Sequence, residues 1–374
     1  MADLFFYGTL CHPALLDCVL GPERGGVTGE PAHLPGYAVQ RVAGQDYPTI
    51  TAQQGARAAG VLARGLTAAA LARLDFYEGG HGYSLRPVTV ETADGPRPAQ
   101  VYFPDHVQTP GGDWRLSDWV ADQGAVTLLA AQEVMMAFGQ RPAAEVAHRF
   151  PQIRARAASR LRAATPGPTA LRHRARDGDV TIRETRQPYA HYFAVEEFDL
   201  THRRFDGSIS AELSRAAFIA PDAATVLPYD PGRDRVLLIE QFRVGPMARG
   251  DSQPWLLEAI AGRVDPGETP EQTVRREAQE EAGLEIGALH RVHGYYPSPG
   301  SVSEYLYSFV GLADLPDSAA GLGGVPGEGE DIRAHVIGYE RLMALLDAGE
   351  LDNAPLLLSA FWLARNRDRL RAEA

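Results

Sequence analysis

The sequence predicts an α/β (α+β) chain of two domains, and three observations carry that reading. At 374 residues the chain is long for a single hydrophobic core. Strand-like and helix-like runs occur on both sides of Thr165-Pro166-Gly167-Pro168-Thr169, a composition that suits a linker. One run, 262–284, reads as a glycine-rich loop followed by a strongly marked helix.

Bulk chemistry narrows the function classes. A content of 45% hydrophobic and 22% charged residues is globular, and the net charge of -12 argues against nonspecific binding to nucleic acid or an anionic membrane. An anionic substrate then needs a local cluster of Arg residues or metal ions. The start, MADLFFYGTLCHP, lacks a basic segment and its apolar run is short for a signal peptide. No run of 18 apolar residues is present, so no membrane span is expected. Cys11 and Cys18 are the only cysteines; within one helix they stand about 10 Å apart, too far for a disulfide. The expected location is the cytoplasm.

In chain order, residues 3–8 predict a strand ending at a glycine turn, and His12–Leu20 a helix with Pro13 in its first turn. The turn at Tyr7-Gly8-Thr9-Leu10 offers backbone amides to an anion. Short strands are expected at Ala38–Val42 and Gly60–Leu62, a helix at Ala68–Leu74, and strands at Arg86–Glu91 and Ala99–Phe103. The sequence is helical and Ala-rich from about Leu116 to Ala164. Its basic run, Arg149–Arg162, lacks interleaved aromatics and reads as a solvated or interdomain face. His12 and His81 stand without ligand spacing, and Cys11 reads as a packed small residue.

From Val180 onward strands dominate, at Tyr192–Leu200, Ile209–Phe218, Ala224–Pro228 and Val236–Gln241. Further strands are expected at Leu306–Val310 and Arg333–Ile337. A glycine-rich loop (Gly321–Gly329) lies between those two, and helices follow at Tyr339–Asp347 and Asn353–Arg365.

The 262–284 run carries the chemistry. Thr269 is a good N-cap, Pro270 suits the first helical position, Gln272 completes a capping box and Gly283 is the left-handed stop. Val274, Ala278 and Ala282 form an apolar stripe at i, i+4, i+8. Glu277 and Glu281 lie one turn apart at its edge, with Glu280 beside them. Three neighbouring carboxylates call for positive charge, which a hard divalent cation with oxygen ligands supplies better than Arg276. A pair of such cations about 4 Å apart polarises a phosphoryl oxygen and generates hydroxide near neutral pH.

The run fits G-x5-E-x7-R-E-U-x-E-E-x-G-U, where U is apolar, and resembles a Nudix hydrolase. Pro231-x-x-Asp234-x-Val236, Ile239-Glu240-Gln241-x-Arg243, Ser298-Pro299-Gly300 and Asp352-Asn353-Ala354 extend the resemblance from about Val180 to Arg369. They place it in the ADP-ribose pyrophosphatase branch, with an α/β/α sandwich fold. The resemblance implies that Glu277, Glu280, Glu281 and the Ala261 carbonyl hold metal. It further implies that Glu280 is catalytic, and that Glu268 and Arg276 form an ion pair fixing loop to helix. In Gly327-Glu328-Gly329-Glu330-Asp331, Glu328 is then the catalytic base or the group that positions water, and Glu330 a further metal ligand. Arg243 is similar to the arginine that contacts the diphosphate. Arg215 is similar to one that reaches the ligand from the partner subunit of a homodimer with exchanged N-terminal strands. Tyr192 or Phe193 is expected to stack on adenine.

Tyr7-Gly8-Thr9-Leu10, with Leu74-Asp75-x-Tyr77-Glu78-Gly79 and Tyr83-x-x-Arg86 downstream, resembles the gamma-glutamylcyclotransferase-like family, a small mixed barrel. There the Tyr7–Leu10 loop holds the gamma-glutamyl moiety and Glu78 is the general base. The alternative for Glu78 is a loop carboxylate paired with Arg86, and a binding role for the whole domain stays open.

The expected organisation is a cyclotransferase-like domain at 1–110, a helical connector and linker at 111–170, and a Nudix domain at 171–374. This combination resembles the tellurite-resistance-associated ADP-ribose pyrophosphatases of some bacteria, although no metalloid site is visible. The expected reaction is Mg²⁺-dependent hydrolysis of ADP-ribose to AMP and ribose 5-phosphate, with Mn²⁺ as the alternative ion. A nucleotide-binding sensor, and hydrolysis of other nucleoside diphosphate sugars, are the competing expectations. Neither nucleic acid nor membrane is an expected partner.

Overall fold

The apolar run Leu4-Phe5-Phe6 forms a buried strand, β1 (Ala2–Phe6), paired on both sides in the first sheet. The computed structural model describes residues 2–324 and 329–373. Two units meet between Pro168 and Thr169.

In the first unit, β1 leads through α1 (Pro13–Leu20) to a long hairpin, β2 (Thr28–Val42) and β3 (Pro48–Leu66). Then come α2 (Ala68–Gly79), β4 (Tyr83–Thr92), β5 (Gly95–Pro104) and β6 (Pro110–Asp113). The sheet runs β3-β1-β5-β4-β2-β6, and the further β3–β2 pairing closes it on itself. One pairing in the ring, β1 with β5, is parallel. Closure removes the sheet edges along the ring, and Phe5, Leu34, Ile50, Leu62, Val101 and Phe103 fill the interior. Only short pieces of the hairpin are legible in the sequence. Its strands are interrupted by Pro31, Pro35 and Gly55 and are largely exposed along the middle, which weakens the period-two signal.

The expected connector belongs to this first core. The helices α3 (Leu116–Trp119), α4 (Ala125–Met136), α5 (Ala143–His148) and α6 (Phe150–Ala163) contribute Trp119, Val126, Val134, Val146 and Ile153 to the cluster that buries α1 and α2. The basic run likewise departs from a solvated face: Arg156 is 1% exposed and forks onto Glu133 of α4, with Nη2–Oε1 at 2.5 Å and Nε–Oε1 at 3.0 Å. Both nitrogens converge on one carboxylate oxygen, with Oε2 at 3.4 Å from Nε, and this charge-assisted pairing makes such burial tolerable.

The second unit opens with an antiparallel meander, β7 (Val180–Ala190), β8 (Ala194–His202) and β9 (Leu213–Ile219). Its main sheet takes β10 (Ala223–Asp230), β11 (Arg235–Phe242) and, after α7 (Val244–Arg249), β12 (Trp255–Glu258) and β13 (Ile260–Arg263). Helix α8 (Pro270–Ala282) precedes β14 (Leu289–Tyr295), β15 (Leu306–Leu312), β16 (Gly321–Gly323) and β17 (Ile332–Gly338), and α9 (Tyr339–Asp347) and α10 (Ala354–Ala372) close the chain. Among the described residues the order is β14-β15-β10-β11-β17-β16, with β12 on β11 and β13 on β10. One face packs on α8 through Val274 and Ala278; the other packs on α9 and α10 through Leu342, Leu345, Leu356, Ala360 and Leu363. Strand β11, covered on both faces, is accordingly a continuous apolar run, Val236–Ile239. This is an α/β/α sandwich. No helix among the described residues is long and apolar enough to cross a membrane.

Replacing Glu133 with Ala leaves the Arg156 guanidinium in the core without that carboxylate. The expected loss is about 3–5 kcal/mol in the first unit's unfolding transition, measured by urea denaturation of the full chain. A loss below about 1 kcal/mol, the range of an exposed pair, contradicts a buried bridge.

Candidate active site

Local chemistry sets helix α8 in place. The Thr269 side chain accepts from the Gln272 amide at 3.2 Å, and Gln272 Oε1 accepts from the Thr269 amide at 2.8 Å. Gly283 ends the helix in the left-handed conformation, at φ 62°. The loop before the helix is tied down by Arg276, whose Nε and Nη2 donate to Glu268 at 2.9 and 3.0 Å and whose Nη2 also donates to the Arg263 carbonyl at 3.2 Å.

With its buried stripe against the sheet, the helix turns Glu277 and Glu281 into a cavity of about 480 Å³. Ala261, Gly262, Arg243, Glu330, Tyr192 and Phe193 line the same cavity. Desolvation pushes the Glu277 carboxyl up to about 7, against the opposing pull of Arg276. Glu281 is 3% exposed, and burial followed by repulsion from Glu277 and Glu330 raises it to about 8. Its Oε2 is buried with no hydrogen-bond partner. A carboxylate oxygen in that state needs a proton or a cation.

The backbone is shaped around these acids. A Cβ on Gly262 would stand 1.8 Å from Glu277 Oε1, so only glycine leaves room for the carboxyl. Strand β13 brings Ala261 beside Glu281, whose carboxyl accepts a backbone hydrogen bond there. Glu280 is exposed, is not among the residues lining the cavity, and meets Arg276 Nη1 at 3.0 Å. Glu277 meets the same nitrogen at 2.6 Å. The orphaned oxygen, the glycine cradle and the all-oxygen donor set fit a hard divalent cation. Among the described residues no three His, Cys, Asp or Glu side chains already converge as a closed metal group.

Other expected residues fall in different places. Arg243 lines the cavity and is held by Glu258, with Nη2–Oε2 at 2.6 Å and Nε–Oε2 at 3.0 Å. Glu258 itself escapes a reading of the sequence because its approach to Arg243 depends on how β12 pairs with β11. Asn353 and Glu304 also line the cavity; burial, with Asp222 nearby, raises the Glu304 carboxyl. Tyr192 lies 5.8 Å from the Arg263 guanidinium and precedes β8 instead of belonging to it. Arg215 is exposed on β9, donates to the Ser214 carbonyl at 2.9 Å and does not line this cavity. Glu328 lies outside the described residues.

In the first unit a second cavity, about 220 Å³, gathers Tyr7, Gly8, Thr9, Leu10 and Glu78. A short helical turn follows the loop, with the Cys11 amide donating to the Gly8 carbonyl at 3.0 Å. Tyr7 donates to the Tyr102 carbonyl at 3.1 Å. Glu78, near the end of α2, is pushed up to about 7 by desolvation. Arg86 stacks on Phe103, its guanidinium 5.4 Å from the ring centroid. His81 also lines the cavity and meets Phe150 edge-on.

The Gly262 cradle has a direct consequence. Added Mg²⁺ or Mn²⁺ should raise the melting temperature of the second unit by mass action. Calorimetry of Gly262→Ala should show that rise largely lost, because the added methyl displaces Glu277; an undiminished rise means that the cation sits elsewhere.

Residues 220–358 match the family described as NUDIX domain, and residues 4–120 the family described as gamma-glutamyl cyclotransferase, AIG2-like. The chain is 38% identical over 197 residues to an ADP-ribose pyrophosphatase of Escherichia coli, a match spanning 53% of this chain and 92% of that protein. It is 34% identical over 195 residues to an ADP-ribose pyrophosphatase of Haemophilus influenzae, spanning 52% and 89%. A GDP-mannose pyrophosphatase of Escherichia coli is 31% identical over 167 residues, spanning 45% and 85%. With a relative matched over nearly its whole length and the NUDIX domain at 220–358 spanning the acidic helix, the chain belongs to the Nudix family.

Proposed function

We propose that the second unit hydrolyses the diphosphate of ADP-ribose to AMP and ribose 5-phosphate, using Mg²⁺, with Mn²⁺ as a substitute. The observation that carries this reading is one cavity holding Glu277, Glu281 and Glu330 together with Arg243 and Tyr192, in a chain whose relatives include ADP-ribose pyrophosphatases. Glu277, Glu280, Glu281, Glu330 and the Ala261 carbonyl would hold the cation. When bound, that cation polarises a phosphoryl oxygen and makes hydroxide accessible near neutral pH.

The chain's own residues do the rest. Arg243, oriented by Glu258, binds the diphosphate and offsets its charge. Tyr192 or Phe193 stacks on the adenine. Glu328 activates or orients the attacking water, a role that rests on its place in the sequence. Arg215 would act across a homodimer, which accords with its exposure on β9. The cytoplasm fits two free cysteines and no disulfide among the described residues.

The 31% identity to a GDP-mannose pyrophosphatase favours one competing reading, a preference for other nucleoside diphosphate sugars. Phosphatase-coupled phosphate release from ADP-ribose and GDP-mannose separates the two, with ADP-ribose expected to be cleaved faster. Glu277→Gln should lose activity by several orders of magnitude while keeping its melting profile. Full ADP-ribose hydrolysis by that variant overturns the assignment, and ligand binding without product by the natural chain points to a sensor.

For the first unit we propose cyclisation of gamma-glutamyl compounds, supported by Glu78 lying in the cavity with the Tyr7–Leu10 loop. Glu78 takes a proton from the ammonium, and the freed amine attacks the gamma carbonyl. As the C–N bond to the departing amine breaks, protonated Glu78 returns its proton to that nitrogen, which leaves as the free amine and releases 5-oxoproline. Because a base acts deprotonated and burial raises Glu78 to about 7, 5-oxoproline release should rise as pH increases through about 7. It should fall to background in Glu78→Gln; equal rates in the two proteins make the unit a binding module.

A further inference from the structure

The first unit's cavity is not built from the family-matched segment alone. That match ends at residue 120, yet Thr127 of α4 and Phe150 and Arg154 of α6 line the cavity beside Tyr7–Leu10 and Glu78. Much of the lining is aromatic, including Phe5, Tyr47, Tyr83, Tyr102 and Trp119. A guanidinium in such surroundings is costly unless its donors are used.

Arg154 is only partly satisfied. Its Nη2 donates to Asp46 and, at 2.9 Å, to Gln123 Oε1. Its Nε is buried and has no hydrogen-bond partner. A second cavity residue shows the complementary shortage. Gln108 spends its Nε2 on the Tyr83 hydroxyl at 3.2 Å, and its Oε1 is buried with no partner. One wall group therefore lacks an acceptor and another lacks a donor. Buried polar atoms left unmatched in this way mark what a ligand would bring.

We propose that Arg154 is a specificity-determining residue of this cavity, selecting a small ligand that carries both a carboxylate and an N–H donor. The carboxylate meets Arg154 and the N–H meets Gln108 Oε1. Asp46 shows that this guanidinium already donates to a carboxylate, and a planar fork suits a planar anion. A dianion such as phosphate is disfavoured by the acidic neighbours Asp46 and Glu78. The inference rests on the reading that the cavity takes gamma-glutamyl-type compounds, but it concerns binding and not turnover.

The test is calorimetric titration of the full chain with two probes, 5-oxoproline and its neutral amide, 5-oxoprolinamide. They share the ring N–H and differ in the carboxylate. Natural chain should bind the acid at least about tenfold more tightly than the amide, which corresponds to one charge-assisted contact. Arg154→Gln should bring that ratio close to one while leaving amide binding and the melting profile in place. Asp46→Asn releases the guanidinium from its competitor and should tighten acid binding several-fold. If Arg154 serves only the packing of α6, both variants lower the melting temperature and neither changes the ratio; that result overturns the proposal. So does failure of the natural chain to bind either probe at millimolar concentration. Loss of 5-oxoproline release with the acid preference intact would instead remove the cyclotransferase reading and leave this one standing.

Discussion

The second unit depends on a carboxyl group being kept out of water beside others of its kind. Glu281 is buried, one of its oxygens is unmatched, and Glu277 and Glu330 add repulsion. Nothing in the packing requires an acid there; an apolar residue would fill the same position at lower cost. The surrounding chain nevertheless maintains it. Gly262 makes room for Glu277, the capping box and Gly283 fix the ends of α8, and Glu268 engages Arg276 on both faces of its fork. Arg276 is therefore shared among several acids and is not free to neutralise the cavity by itself. Stability is given up locally, as expected where chemistry is the purpose.

Both units raise a glutamate above its ordinary range, by different environments. Around Glu78 the cause is desolvation in a cavity rich in tyrosine. Around Glu281 desolvation is joined by like charge. The first arrangement suits a group that passes a proton near neutral pH, because the acid and its conjugate base are both populated. The second suits a divalent ion, because several oxygens become favourable together once positive charge arrives. The same residue type thus supports two kinds of chemistry in one chain.

Much of the α8 site was legible because its signals are local. Thr269, Pro270, Gln272 and Gly283 specify the helix within one turn of themselves, and Glu277 and Glu281 share a side by spacing alone. What was not legible depends on pairing between distant segments. Glu258 reaches Arg243 only through the pairing of β12 with β11, and the need for glycine at position 262 arises from a helical side chain, Glu277, fifteen residues onward. The stretch expected as a connector became part of the first core because α4 and α6 bury Val126 and Ile153 against α1 and α2. Arg156 carried the composition of a surface residue, and only its geometry with Glu133 shows otherwise. The long β2–β3 hairpin was hidden by its prolines and glycines, which interrupt the alternation that marks a strand.

The central claim is that the acids of α8 are tolerated because a cation binds among them. Titration of the full chain with Mn²⁺, followed by electron paramagnetic resonance of the free ion, tests it most directly. The account predicts saturable binding that weakens at least about tenfold in Glu281→Gln, the loss of one charged oxygen ligand. Equal binding by the two proteins would contradict it.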